Sequence, residues 1–383
     1  MDFDLTDEQR LLKDSVDRLI ADRYDFESRK RFLAEPDGFS RENWATFAEL
    51  GLLALPFSEE HGGIGGGPVE TMIVMEAFGR GLVIEPYLAT IVLGGGLLRH
   101  GGSAAQQSEI LPQVAAGETS LAFAHVERSS RYDLADVETR AKRDGEGFVL
   151  DGEKGVVLHG ATADKLVVTA RVAGGRRDRG GIGLFLVDGN APGVLRRGYP
   201  TQDGAQAAEI TLETVRVGPD AALGDPEGGL AAAERVVDEA IAALSAEAVG
   251  LMGEMQDLTV EYLKTRKQFG LSVGSFQSLQ HRAADMVVAS EQARSMSYFA
   301  TMMSGSDDAA ERARAVSAAK VQIGRSGRFI GQSAVQLHGG VGVTMEYRVA
   351  HYFKRMTVIE TLFGDADFHL ARLAESGGLF GTA

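Results

Sequence analysis

The sequence predicts a mainly α-helical fold with a β domain inserted between two helical parts. Apolar residues recur at helical spacing from the start to about residue 117, and again from about residue 228 to the end. Between about residues 119 and 226 the pattern changes to short β-rich runs broken by glycine, asparagine, aspartate and proline. No long helical pattern separates these runs, which favours antiparallel strands in a small barrel or sandwich over a Rossmann unit. We therefore predict three domains, over residues 1–118, 119–226 and 227–383.

The composition is that of an ordinary globular protein, and it limits the partners and the chemistry of the chain. Of 383 residues, 44% are hydrophobic and 24% are charged, and the formal net charge of −15 disfavours nucleic acid and anionic membranes as general partners. The chain has no cysteine, which excludes disulfides, thiolate catalysis and cysteine-ligated zinc or iron–sulfur sites. Redox chemistry would therefore need a cofactor, and we expect no metal site. Because neither a leader pattern nor an apolar run of about 18 residues is visible, we predict a cytoplasmic protein without a membrane span.

The N-terminal domain is predicted to be helical. Thr6 and Gln9 stand in the capping-box positions of a first helix. Residues 61–68, HGGIGGGP, are too rich in glycine to continue a helix, and no strand precedes them. We interpret this segment as a turn between helices and not as a phosphate loop. Further helices are predicted over residues 70–82, 90–99 and 106–116.

The middle domain contains β-rich runs and one basic segment. The runs cover residues 121–125, 139–142, 148–152, 155–158, 165–171, 182–187 and 208–217. Residues 171–181, RVAGGRRDRGG, combine positive charge with glycine. We interpret them as an exposed hairpin loop, although their charge would also suit an anion.

A long amphipathic helix, predicted within residues 231–270, organises the C-terminal domain. Its apolar residues follow one another at spacings of three and four, so one stripe must pack against other helices. Glu247 lies beside this stripe, and its neighbours three and four positions away are alanine, leucine, glycine and leucine. A carboxylate without a local partner beside an apolar seam is costly to ionise, a property that suits a base working near neutral pH. A glutamate on a solvated flank of the helix is the alternative.

The rest of the C-terminal domain is predicted to be helical as well. Helices are expected over residues 274–303, 309–337 and 347–373, the last with a break at Gly364. Residues 336–342, QLHGGVG, place three glycines in four positions, which is more than a helix C-cap requires. Such glycines let backbone N–H groups approach a ligand closely.

With these motifs, the chain resembles the acyl-CoA dehydrogenase superfamily over essentially its whole length. Residues 266–270, RKQFG, match the family's R-x-x-F-G element, and residues 336–342 match its Q-x-x-G-G-x-G element. The pair Phe276-Gln277 and the string GEK at residues 152–154 agree with the same pattern. The resemblance implies an N-terminal helical domain, a central antiparallel β barrel or sandwich and a C-terminal four-helix bundle.

The resemblance also implies FAD as the cofactor. In this family the arginine of the first element reaches the flavin pyrophosphate of a neighbouring subunit, and the second element holds the adenosine half. The chemistry agrees, because arginine pairs bidentately with phosphate and glycine-rich backbone fits against it. The cofactor-binding residues implied are Arg266, Gln268, Phe269, Gln277, Gln336, Gly339, Gly340, Val156 and Val157.

Several positions depart from the family pattern. Where typical members have a T-E-P-x-A-G-S-D loop facing the flavin, residues 126–133 are VERSSRYD, and a W-I-T strand is replaced by residues 156–158, VVL. The segment that supplies the catalytic glutamate in many members is LFGD, with Phe363 at the glutamate's place. The other glutamate position of the family is occupied by Ala240. In this respect the chain is similar to the branch that includes the small subunit of pimeloyl-CoA dehydrogenase, whose members often form heterotetramers.

The resemblance therefore implies an FAD-dependent dehydrogenase that oxidises an acyl-CoA thioester to the 2,3-enoyl-CoA. Glu247 is the candidate base, two helical turns beyond Ala240, with Asp365 or a residue of a partner chain as the alternatives. Arg128 and Arg131 are expected to contact the CoA phosphates. Expected partners are an electron-accepting flavoprotein and further subunits, in a homodimer, homotetramer or heterotetramer. A non-catalytic partner subunit and a flavin monooxygenase-like member are the alternative functions.

Overall fold

The structure of the protein is a computed structural model, and it describes residues 4–377. The helices are α1 (Asp7–Arg23), α2 (Phe26–Leu33), α3 (Arg41–Glu49), α4 (Pro68–Gly81), α5 (Gly96–Gly101), α6 (Ala104–Ala115), α7 (Leu230–Thr265), α8 (Gln277–Ser304), α9 (Ala309–His338), α10 (Arg348–Thr361) and α11 (Ala366–Glu375). The strands are β1 (Leu121–Ala124), β2 (Arg140–Asp144), β3 (Gly147–Leu158), β4 (Lys165–Arg171), β5 (Ile182–Asp188), β6 (Val194–Pro200), β7 (Gln206–Val217), β8 (Lys267–Gln268) and β9 (Leu271–Ser272). The outer ends of the first and last predicted domains lie outside the described residues.

The helices of the N-terminal part follow the prediction, with one difference in type. The Thr6 hydroxyl accepts a hydrogen bond from the Gln9 N–H, and the Gln9 side chain accepts one from the Thr6 N–H, so the capping box is confirmed. Residues 62–67 form no helix, which confirms the turn. The helix predicted over 90–99 is instead a π-helix, Leu88–Gly95, that continues into α5. Apolar spacing alone does not separate these two helix types.

Strands β1 to β7 form one sheet that is not wholly antiparallel, and β8 and β9 form a separate two-stranded sheet. Seven strands lie in the order β1-β4-β2-β3-β7-β6, and β5 pairs with β4. The ladders of β3, β5, β6 and β7 are antiparallel, as predicted, but β1 runs parallel to β4. A parallel pair needs a long connection, and the β2–β3 hairpin lies within this one. Strand β6, with the sequence VLRRGYP, was not predicted, because it contains few β-forming residues. It forms a strand because it pairs with β7.

The described chain separates into two compact units. The helical unit contains the residues up to Arg31, Pro68–Val83 and those from Ile241 onward. The β unit contains Phe32–Gly67 and Ile84–Ala240. The core of its sheet includes Leu150, Phe185 and Ile210, all fully buried. No helix among residues 4–377 is long and apolar enough to cross a membrane.

Helix α7 has the buried apolar stripe that its sequence predicts. Within the helical unit the fully buried residues of this stripe are Ile241, Leu244, Ala248, Leu251 and Met255. Two glycines let α4 approach it closely, since a Cβ on Gly79 would lie 2.0 Å from the Glu247 carbonyl oxygen and one on Gly250 would lie 2.0 Å from the Glu76 carbonyl oxygen. The backbone at Glu247 is therefore pressed against α4, and the residue is only 4% exposed.

Candidate functional site

A cavity of about 710 Å³ lies in the helical unit, where the ends of α7 and α9 approach the start of α8. Its lining consists of Tyr262, Arg266, Gln268, Val273, Ser278, Leu279, Arg282, Gln336, Leu337, His338, Gly339, Gly340 and Val341. The arginine motif and the glycine-rich motif, which are far apart in the sequence, therefore contribute to the same cavity.

Arg266 is placed by the end of α7 and by the short hairpin that follows it. Its N–H donates to the Tyr262 carbonyl, and its carbonyl accepts from the Val273 N–H, at 2.8 Å in each case. Strands β8 and β9 are joined by Phe269 and Gly270, which both have positive φ, at 55° and 80°. Two such residues are what a tight two-residue hairpin needs. The chain reverses directly after Arg266, and this residue lines the cavity at the root of the hairpin.

The glycines after α9 have different roles. A Cβ added at Gly339 or Gly340 would meet no described atom within 4 Å, so the chain itself leaves space beside them. Gly342 differs, because a Cβ there would lie 2.8 Å from the Val335 carbonyl oxygen. Gly342 is therefore required by packing, whereas Gly339 and Gly340 expose backbone to the cavity.

The cavity is positively charged although the chain is acidic. None of the described residues that line it is an aspartate or a glutamate. Arg266 and Arg282 are both exposed, and neither guanidinium has an ion-pair or side-chain hydrogen-bond partner among residues 4–377. Unpaired guanidinium groups beside accessible backbone suit an anionic ligand such as a phosphate ester.

Most of the residues implied for a cofactor in this region meet at the cavity, and some do not. Arg266, Gln268, Gln336, Gly339 and Gly340 line it, whereas Phe269 and Gln277 are absent from its lining. Phe269 is 90% exposed at the tip of the hairpin.

Sequence reasoning missed Arg282, Ser278, Tyr262 and His338. Ser278 and Arg282 are four residues apart and so share one face of α8. That spacing is the signal that could have indicated Arg282.

In the β unit, Val156 and Val157 are the two residues predicted to contact the cofactor. A bulge in β3 gives them different surroundings. The pairing of β3 with β7 shifts between Lys154 and Val157, and Val156 has a φ of 49°, which is rare for a β-branched residue. Val156 is 43% exposed, whereas Val157 is 1% exposed and belongs to the sheet core. The side chain of Val157 is therefore buried in the core, and only its backbone is available for the predicted cofactor contact. The Gly155 N–H donates to the Val126 carbonyl at 2.8 Å, so the bulge is joined to the loop over residues 126–133.

A buried ion pair anchors the same loop. The Lys154 ammonium lies 2.7 Å from a carboxylate oxygen of Glu127 and 2.8 Å from the Thr169 hydroxyl. Burial lowers the pKa of Lys154 to about 8, although Glu127 acts in the opposite direction. Burial opposes ionisation of Glu127, but Lys154, together with hydrogen bonds from Glu138 and Thr139, outweighs it and holds the pKa of Glu127 below the usual value. The loop is therefore fixed to β3 by a charged pair that water does not reach.

The basic segment 171–181 is a hairpin loop, as predicted, but its arginines are largely engaged. Arg171 is buried and donates to the carbonyls of Asp178, Gly180, Ala135 and Arg176 at 2.7–2.8 Å. Arg176 and Arg177 both pair with the carboxylate of Asp136. These side chains fasten the hairpin to the segment that follows the 126–133 loop, so they are poor candidates for binding an external anion.

Arg128 and Arg131 are the free cations of the 126–133 loop. Both are exposed, and neither has an ion-pair partner among the described residues. Arg131 has a φ of 48°, an uncommon conformation outside glycine. The loop thus presents two guanidinium groups to solvent in a strained turn.

Glu247 is not the isolated carboxylate that its helical neighbours indicate. Arg355, on α10, donates from Nε to one carboxylate oxygen at 2.5 Å and from Nη2 to the other at 2.8 Å. The expectation of an unpartnered side chain is therefore wrong, because the partner lies on another helix and not on α7. The solvated-flank alternative is wrong as well, since Glu247 is buried.

The loop that contains Phe363 is held from two sides. The buried Lys320 ammonium donates to the carbonyls of Ile359, Glu360 and Gly364 at 2.7–2.9 Å. His369 Nε2 lies 3.1 Å from the Phe363 carbonyl oxygen, and Phe363 has a φ of 58°. The loop backbone is therefore fixed in a conformation that costs roughly 1 kcal/mol for a non-glycine residue.

Two further carboxylates of the helical unit, those of Asp365 and Glu254, differ in their surroundings. The Asp365 carboxylate accepts the Phe368 N–H at 2.9 Å and so caps α11. Glu254 lines a second cavity, of about 220 Å³, with Arg80, Asp257 and Arg294. Burial raises the pKa of Glu254, an effect that spacing along α7 did not indicate.

Family comparisons cover nearly the whole chain. The model described as the acyl-CoA dehydrogenase N-terminal domain matches residues 6–118, the one for the middle domain matches residues 122–215, and the one for the C-terminal domain matches residues 227–378.

Individual relatives agree with these matches. YngJ of Bacillus subtilis, a probable acyl-CoA dehydrogenase, is 28% identical over 378 residues, which are 97% of this chain and 98% of YngJ. The probable acyl-CoA dehydrogenase FadE25 of Mycobacterium bovis is 30% identical over 338 residues, 85% of this chain and 84% of FadE25. Among solved structures, a chain of the ChsE4-ChsE5 complex from Mycobacterium tuberculosis is similar with a TM-score of 0.87 and 26% identity, over 98% of each chain.

Proposed function

Because the chain belongs to the acyl-CoA dehydrogenase family, we propose that it oxidises an acyl-CoA thioester to the 2,3-enoyl-CoA. The family's cofactor is FAD, which accepts a hydride from the β-carbon of the substrate. The observation that carries the proposal is the cavity at the ends of α7 and α9, where Arg266, Gln336 and the open backbone of Gly339 and Gly340 meet. These groups fit the phosphates and the adenosine part of FAD, because they combine unpaired positive charge with accessible backbone.

Glu247 is proposed as the group that takes the proton next to the thioester carbonyl. The α-proton of a thioester is weakly acidic, so its removal requires a carboxylate held in a dry, fixed position. Glu247 is buried, and Arg355 fixes both of its carboxylate oxygens. Phe363 and Ala240, at the family's two glutamate positions, have no group that can accept a proton. In this proposal Arg355 orients the base, and it must release one carboxylate oxygen when the proton is taken up.

The proposed substrate is a CoA thioester, with a long, branched or dicarboxylic acyl group among the candidates. CoA carries several phosphate charges, and an acidic chain must bind them with local cations. Arg128 and Arg131 have free guanidinium groups in the loop that is fixed to the β3 bulge. No carboxylate among residues 4–377 holds either arginine, which distinguishes them from Arg176 and Arg177 in the neighbouring hairpin.

Absorbance of the purified chain tests this function. The chain is expressed alone, its flavin absorbance is recorded, and acyl-CoAs of several lengths are added without oxygen. The expected result is a bound oxidised flavin that bleaches with at least one acyl-CoA. If free acids or aldehydes bleach the flavin and no acyl-CoA binds, the assignment to CoA thioesters is wrong.

A second candidate function is a non-catalytic subunit that supports an active sister chain. The loop over residues 362–365 favours it, because Phe363 stands in place of a proton acceptor. The similar chain from the ChsE4-ChsE5 complex is part of an assembly of two different subunits. Flavin that never bleaches in the isolated chain, but bleaches once a sister chain is present, would favour this alternative.

A further inference from the structure

We propose that Arg282 binds phosphate together with Arg266, and that this pair makes the cavity select nucleotides with a diphosphate group. The proposal rests on the function proposed above, and it assigns a second cation to the same site. Arg282 lies on the second turn of α8, whereas Arg266 follows the last turn of α7, so the two guanidinium groups reach the cavity from different elements.

Arg266 and Arg282 line the same cavity, and nothing in the described chain neutralises either of them. Several other arginines of the helical unit are paired with carboxylates, such as Arg355 with Glu247 and Arg294 with Glu76. No aspartate or glutamate lines the cavity among residues 4–377, although the whole chain carries a formal charge of −15. Two exposed guanidinium groups that line one cavity can each contact a separate charged group of one ligand. The arrangement therefore predicts a ligand with more than one negative charge.

A diphosphate matches this arrangement better than a single phosphate does. It presents two adjacent charged groups, and a guanidinium can donate two parallel hydrogen bonds to each. Gln336, Gly339 and Gly340 line the same cavity and offer amide and backbone groups for the attached nucleoside. The shared chemistry is an adenosine diphosphate unit, which both FAD and CoA contain.

Binding measurements on flavin-free protein test the assignment. Apoprotein is titrated with FAD, FMN and riboflavin, and the quenching of flavin fluorescence reports binding. The variants are Arg282→Gln and Arg282→Lys, and Arg325→Gln is the control because Arg325 is an exposed arginine of α9 outside the cavity lining. ADP and CoA are added as competitors, and gel filtration verifies that each variant keeps the wild-type assembly.

The expected result is a loss specific to the diphosphate. Arg282→Gln should weaken FAD and ADP binding by about tenfold to a hundredfold, the range for a lost charge-assisted contact. Arg282→Lys should recover part of the loss, because lysine restores the positive charge but cannot donate the two parallel hydrogen bonds of a guanidinium. Riboflavin binding should not change, so the preference for FAD over FMN should shrink, and Arg325→Gln should resemble the wild type.

Two outcomes would overturn the role of Arg282, and a third would overturn the choice of FAD as its ligand. If Arg282→Gln binds FAD as tightly as Arg325→Gln does, Arg282 does not bind the diphosphate. If riboflavin binding falls as much as FAD binding, Arg282 acts through folding and not through phosphate. If CoA displaces FAD and Arg282→Gln weakens only CoA binding, Arg282 still contacts a diphosphate, but the cavity is a substrate site and not the FAD site proposed above. In the first two cases bleaching by acyl-CoA would leave the proposed function intact, whereas wild-type protein that binds no flavin would contradict that function itself.

Discussion

Arg355 holds the carboxylate of Glu247 through two hydrogen bonds, of 2.5 Å from Nε and 2.8 Å from Nη2. The pair connects α10 to α7, and both side chains are largely buried, at 15% and 6% exposure. A bidentate guanidinium pair fixes the position and the plane of a carboxylate. Glu247 is therefore oriented by a residue that lies 108 positions further along the chain.

We expect Arg355→Met to lower the free energy of unfolding by about 3–5 kcal/mol, because it leaves a buried carboxylate without its partner. The Arg355→Met, Glu247→Gln double variant should recover part of that loss, since no charge then remains unpaired. Urea unfolding measures both values. Arg10→Met is the control, because Arg10 belongs to an exposed pair of the same unit and should change stability by less than about 1 kcal/mol. Equal losses in the two arginine variants would contradict a buried, coupled pair.

Glu247→Gln should leave the flavin content unchanged and slow flavin reduction by acyl-CoA by about a hundredfold or more, because glutamine keeps the shape and cannot take up the proton. Anaerobic stopped-flow absorbance measures the rate. Glu254→Gln is the matched control, since Glu254 lies on the same helix in the smaller cavity. If flavin reduction is slow in Glu254→Gln and fast in Glu247→Gln, Glu254 is the base. If reduction is fast in both variants, the base is Asp365 or a residue of a sister chain.

Arg266→Ala should remove FAD, and it should also weaken subunit assembly if the cofactor lies across a subunit interface. The reason is that one arginine would then serve the neighbour's cofactor, and binding to the folded assembly stabilises it. Flavin absorbance per chain and gel filtration measure the two effects. Lys267→Ala is the control, because Lys267 is the exposed next residue and does not line the cavity. Full FAD occupancy in Arg266→Ala would count against this arrangement.

Lys320 should make the protein more stable as pH rises above neutrality. Burial lowers its pKa to about 7 in the folded protein, from an ordinary value of 10.5, while Glu360 and Asp365 oppose the shift. Between these values the unfolded chain binds more protons than the folded chain, so this contribution to stability is present above 10.5 and is lost as pH falls through 7.

Comparison with Lys320→Met isolates this contribution. The stability difference between wild type and variant should grow in favour of the wild type by about 2–3 kcal/mol between pH 7.5 and 9.5, as measured by urea unfolding at each pH. Lys264→Met replaces an exposed lysine of the same unit and should show no such trend. A constant difference for Lys320→Met would mean that the folded protein keeps this lysine charged throughout the range.

Local patterns in the sequence were sufficient for most helices, for most strands and for the motifs of the cavity. Thr6 with Gln9 predicts the start of α1, because a capping box needs only residues three positions apart. Arg266 and Gly339 were predicted as cofactor contacts in the same way, because each belongs to a short motif of adjacent residues. The family matches over residues 6–118, 122–215 and 227–378 confirm the family that these motifs indicated.

Only the tertiary structure decided which side chains meet. Arg355 belongs to another helix, so no spacing on α7 could indicate that Glu247 is paired. Arg282 enters the cavity because α8 starts beside the end of α7, and Val157 is withdrawn into the core because a bulge changes the register of β3. Hydrogen bonding and burial act between surfaces that the fold brings together, whereas sequence periodicity reports only what each element does by itself.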